Sequence, residues 1–129
     1  MFISNFDLYK LKEKMHKNRT NIERILIHEQ LTDNTQIMCI AFKEGNRYPP
    51  IADHEKGSIT FIVLEGKLQI NTYDFYNKKK LDSKVICPKE IYKIPRKVFR
   101  ETNAISKTDT IFVEIIEGSF NKENRLHME

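Results

Sequence analysis

Apolar and polar positions alternate along this chain in short blocks whose period changes once, near residue 20. Before that point Leu8, Leu11 and Met15 recur at helical spacing, with Lys10, Lys12, Glu13 and Lys14 around the other faces, which predicts an amphipathic helix. Asn5 or Asp7 is the expected cap, because a short polar side chain accepts a hydrogen bond from the unpaired amides of a first turn. The polar stretch from Lys17 to Thr20 is expected to end the helix. His16 reads as an exposed residue near the negative pole of the helix dipole.

Beyond residue 20 the period is that of strands. Arg24 to His28 is a short apolar piece, Leu31 to Thr35 a polar turn, and Gln36 to Phe42 an almost continuous apolar run of the kind found where both faces are covered. Glu44-Gly45-Asn46 is a turn. Tyr48-Pro49-Pro50 is expected in neither a central helix nor a central strand, since proline has no amide to donate. Ile59 to Leu64 is another buried strand, and Glu65-Gly66-Lys67 a tight turn in which Gly66 takes a positive φ. Leu68, Ile70 and Thr72 then alternate with Gln69, Asn71 and Tyr73, the mark of a half-exposed strand. Tyr76 to Lys80 is a loop, Leu81 to Cys87 a strand, Pro88-Lys89-Glu90 a turn, and Ile91 to Ile94 and Thr110 to Ile116 the remaining strands, with Gly118 closing the last.

Short strands at regular spacing with turn residues between them predict an all-β sandwich or barrel preceded by a short helix. Residues 1–20 are the helical segment, 21–118 the barrel and 119–129 a polar tail expected to fray. The 129 residues make one domain, without repeats or linkers.

The net charge of +4 and the pI of about 9.0 raise the question of nucleic acid. The basic residues are interleaved with 18 acidic ones, and their one run, Lys78-Lys79-Lys80, falls in an expected loop. A nucleic-acid surface needs a concentrated stripe, so no such partner is expected. No apolar run approaches a membrane span. The N-terminus also lacks a basic start followed by an apolar stretch, so a cytoplasmic protein with no membrane partner is expected. Cys39 and Cys87 lie in apolar segments without a Cys-x-x-Cys pair, and are expected to behave as small buried hydrophobes, with a disulfide between them left open.

The stretches Gly45 to Gly66 and Ile94 to Arg100 resemble the two characteristic blocks of cupins. More narrowly, the chain resembles the WbuC family of small cupin-fold proteins, encoded among surface-polysaccharide (O-antigen) genes. The resemblance is carried by Leu31-Thr32-Asp33-Asn34-Thr35-Gln36 leading into Glu44-Gly45, by Thr60-Phe61-Ile62-Val63-Leu64-Glu65-Gly66-Lys67-Leu68, and by Val113-Glu114-Ile115-Ile116-Glu117-Gly118-Ser119-Phe120. His28 falls on a histidine typical of that family. The resemblance implies a cupin-like β-barrel (a double-stranded β-helix or jelly roll), a tendency to form homodimers, and a place in surface-polysaccharide biosynthesis with a sugar or sugar nucleotide as ligand.

It also implies a metal site built from a His-x-His pair, a following glutamate and a later histidine. Counted back from Gly66, those positions are Ala52, His54, Ile59 and Arg100; counted forward from Gly45, the pair becomes Ile51 and Asp53. A catalytic metal needs about three protein ligands, and neither register supplies them, so no tightly bound metal or other cofactor is expected. A metal held by atypical ligands is the alternative.

An anion is the better guest for what remains. Arg47, Arg96 and Arg100 lie in the two blocks, and guanidinium forks match phosphate or carboxylate oxygens; solvated arginines paired with Glu44, Glu55 or Glu101 are the bland alternative. His54 is the candidate general base, since imidazole titrates near neutral pH. That reading makes the protein a sugar-nucleotide isomerase or epimerase instead of a binder. His28 and Glu114 complete the candidate ligand-binding set. Alternation places Glu114 on the face of Phe112 and Ile116, where a carboxylate needs a partner such as Arg100 or Arg24.

Overall fold

The computed structural model describes residues 1–53, 57–118 and 125–128, with the Asp53 side chain outside that description. Helix α1 (Asn5–Asn18) is followed by strands β1 (Ile22–Leu26), β2 (Thr35–Phe42), β3 (Arg47–Asp53), β4 (Ile59–Glu65), β5 (Leu68–Asp74), β6 (Lys80–Ile86), β7 (Ile91–Ile94), β8 (Val98–Ala104), β9 (Thr110–Glu117) and β10 (Arg125–His127).

The helix begins one residue earlier than its expected cap. Ser4 is the N-cap: its hydroxyl accepts from the Asp7 amide at 3.2 Å, while the Asp7 carboxylate accepts from the Ser4 amide at 2.8 Å. Asp7 therefore closes a capping box from inside the first turn. Arg19, in the left-handed region at φ 55°, ends the helix within the polar stretch expected to do so. Leu11 and Met15 are buried against Cys39, Ala41 and Ile111. Each such side chain contributes on the order of 1.5–3 kcal/mol when removed from water. His16, still half exposed, pairs with Asp109 in the turn before β9, fastening the far end of the helix.

The strands form two antiparallel five-stranded sheets, in the orders β1-β2-β9-β4-β7 and β10-β3-β8-β5-β6. Because β2 packs on α1 with one face and on the barrel interior with the other, its run of apolar residues is nearly continuous. The interior is filled by Phe42, Phe61, Val63, Leu68, Ile70 and Phe112, among others. Gly66 sits at φ 77°, where a Cβ would also lie 2.5 Å from the Thr110 hydroxyl, so the β4–β5 turn excludes any side chain.

Three sequence expectations change. The segment Tyr48-Pro49-Pro50 lies inside β3, flanked by β8, because the β3–β8 ladder breaks between Tyr48 and Ile51 and asks no amide of either proline. Strand β8 carries too little apolar alternation to be read as a strand. Part of the expected polar tail is ordered: Arg125, Leu126 and His127 pair with Asp53, Ala52 and Ile51 and cover that edge of β3. Both cysteines are free thiols, and burial pushes the Cys39 thiol up to about 11. No helix among the described residues is long and apolar enough to cross a membrane.

Candidate functional site

At one side of the barrel Tyr92 of β7 lies beside Thr72 of the opposite sheet, and burial holds its hydroxyl above the ordinary phenol range. At the other side the edge strands β1 and β10 leave an opening, and each places an arginine there: Arg24 from β1 and Arg125 from β10 line the same two cavities. Arg24 stands in register with Ile40, an interior residue of β2, which turns its side chain toward the inside of the sheet.

The inner cavity has a volume of about 40 Å³ and is walled by Ile40, Phe42, Tyr48, Ile51 and Phe112. That is room for one or two waters and not for a sugar ring. Its polar feature is an ion pair across the barrel. Arg100 on β8 and Glu114 on β9 place Nη2 and Oε1 3.7 Å apart, with side chains 3% and 10% exposed. Glu114 is on the interior face with Phe112 and Ile116, as alternation predicts, and its partner is one of the two arginines named for it.

The outer cavity, about 370 Å³, falls within the range of small-molecule sites. Leu26, Leu31, Met38 and Ile116 make most of its wall, with His28, Gln36, Arg24 and Arg125 as polar members. Gln36 is buried, and its side-chain amide donates to the carbonyls of Asp33 at 2.9 Å and Leu31 at 3.3 Å, which fixes the loop carrying Leu31 at the rim. His28 Nδ1 lies 3.1 Å from the Ile37 carbonyl and 3.2 Å from the Ile37 amide, which fixes the ring against β2. His28 Nε2 is buried and has no hydrogen-bond partner among the described residues.

The sequence candidates thus divide. Arg100, Glu114 and His28 belong to the cavities. Arg47 does not, because it stands opposite Asn103 on the outward face of its sheet, where its Nε donates to the Asn103 side chain at 3.4 Å. Arg96 is an exposed residue of the turn between β7 and β8 and lines neither cavity. His54 and Glu55 lie outside the described residues. Of the two registers for the first block, the count from Gly45 is the one that turns its first position inward: Ile51 lines the inner cavity directly opposite Arg100. The sequence names Arg24 only as a candidate partner for Glu114 and places Arg125 in the tail. The signal for Arg24 was a lone cation inside an apolar strand.

The described residues of this arrangement do not suit a divalent metal. The described residues of the inner cavity offer one carboxylate, and a permanent guanidinium cation stands 3.7 Å from it. Among the described residues no three His, Cys, Asp or Glu side chains converge. Imidazole and carboxylate donors are what such an ion requires.

No protein-family model and no curated protein matches the chain. Solved structures do. A recombinant oxalate oxidase in complex with glycolate is 16% identical, with a TM-score of 0.65, over 83% of this chain and 55% of that one. CapF with the inhibitor 3-isopropenyl-tropolone is 16% identical, with a TM-score of 0.70, over 82% of this chain and 31% of that one. The cupin domain of Schizosaccharomyces pombe Cnp3 is 10% identical, with a TM-score of 0.62, over 78% of this chain and 66% of that one. This chain spans about half the length of the oxalate oxidase it matches. At these identities the likeness is one of fold, and the fold is that of the cupins.

Proposed function

We propose that this cupin-fold protein binds a nucleotide sugar through its diphosphate, without a metal, as a cytoplasmic accessory protein of surface-polysaccharide biosynthesis. The observation that carries the reading is the placement of Arg24 and Arg125 in the wall of both cavities, with Arg100 lining the inner one. Among the described residues, Arg24, Arg100 and Arg125 line the inner cavity together with one carboxylate, Glu114. Guanidinium forks hold phosphate oxygens in pairs, and the field of a partly enclosed site attracts an anion from a distance. The resemblance to the WbuC family supplies the biosynthetic setting. A homodimer is part of the same reading, supported by the exposed edge strand β6, where Leu81 and Val85 face solvent.

The test is a thermal-shift screen of nucleotide sugars, sugar phosphates and neutral sugars. A ligand that binds the folded state alone raises the melting temperature by mass action. Nucleotide sugars are expected to do so and neutral sugars not. A panel that leaves the melting temperature unmoved would overturn the binding reading and leave a protein that works through a macromolecular partner.

A further inference from the structure

We infer that the nucleotide sugar is held with its base in the outer cavity and its sugar outside the barrel. The inference rests on the binding reading above and adds the orientation.

Two observations carry it. The inner cavity, at about 40 Å³, is walled by close-packed Ile51 and Phe112 and crossed by the Arg100–Glu114 pair, so no sugar ring enters without opening the core. The outer cavity has the volume and the apolar wall that a flat ring needs, and it is rimmed by Leu26 and Leu31, which are 48% and 56% exposed. Large exposed apolar side chains around a concavity are the mark of a ligand surface. Sugar hydroxyls would gain little against these four apolar residues, whereas a base would bury its faces there.

With the base against the apolar wall, the diphosphate meets Arg24 and Arg125, which line the same cavity. Arg24 is solvent-exposed, so the chain of atoms beyond the phosphates continues outward past it. The protein then grips the nucleotide and presents the sugar to whatever acts on it.

The experiment is calorimetric titration with the uridine, thymidine, guanosine and cytidine diphosphates, their glucose conjugates, and glucose phosphate. For the preferred base, the free nucleoside diphosphate is expected to bind within about threefold of its glucose conjugate, and glucose phosphate more than about tenfold more weakly. Leu31→Ser and Leu26→Ser, both at exposed positions, should each weaken the nucleoside diphosphate by about tenfold while leaving the unliganded melting temperature unchanged. Glucose phosphate binding as tightly as the conjugate, with the nucleoside diphosphate failing, would overturn this orientation and leave the sugar-binding reading standing. If nothing in the panel binds, both fall. Unchanged affinity in both leucine variants would overturn the placement of the base.

Discussion

Arg100 and Glu114 face each other across the barrel from the middle strands of opposite sheets, 3.7 Å apart and almost wholly out of water. Each charge lost its hydration on folding and is compensated mainly by its neighbours inside. Removing one takes from the other its partner in this buried pair, which costs about 3–5 kcal/mol, whereas replacing both by apolar residues is often near neutral. Urea unfolding of Arg100→Met and Glu114→Leu should show losses of that order, and the double variant should lose less than either. Singles within about 1 kcal/mol of the parent would show the pair to be better solvated than its burial indicates.

Among the described residues no set of donors suits a divalent ion. Elemental analysis of purified protein should find well under one metal per chain. Stoichiometric metal that a chelator removes, with a fall in melting temperature, would return the site to the ordinary cupin pattern and point to His54 or Glu55.

The Asp7 carboxyl is held below its ordinary value of 3.8 chiefly by the hydrogen bond from the Ser4 amide, and next by the Ser4 hydroxyl. A carboxyl lowered in the folded state stabilises it at pH above the ordinary value, and the contribution fades as pH falls through the folded one. Asp7→Asn should therefore be less stable than the parent near neutral pH, and the two melting curves should converge below pH 3.8. A gap independent of pH would contradict the capping-box role.

If the sugar stays outside the barrel, no side chain of the inner cavity can take a proton from its ring. Nucleotide sugars incubated with the protein in deuterated water should gain no carbon-bound deuterium. Positioned general bases contribute about 10²–10⁴-fold, so exchange that disappears in His54→Ala would be plain to see and would make the protein an epimerase or isomerase.

The sequence showed the barrel more clearly than its opening, and the reason is physical. Interior residues of β2, β4 and β9 are apolar, so alternation and the Glu114 position were legible. Strand β8 faces the cavity with Arg100 and Thr102 and the outside with Glu101 and Asn103, which erases the apolar period that marks a strand. Arg125 was illegible for another reason: β10 is three residues held by backbone pairing with β3, and such pairing leaves no pattern in side chains. Arg47 and Arg96 had the right chemistry, but one sits on the outward face and the other in an exposed turn. Two proline residues shifted the β3 register by a bulge, and spacing alone left that shift open.

Arg24, which is exposed and makes no ion pair among the described residues, tests most directly whether the arginines of the two cavities hold the anionic part of a nucleotide sugar. Calorimetric titration of the best nucleotide sugar should show the affinity of Arg24→Ala reduced by about tenfold or more, the effect of losing one charge-assisted contact. The unliganded melting temperature should stay within a degree or so of the parent, as for most surface substitutions. Equal affinity in the parent and in Arg24→Ala would contradict the account.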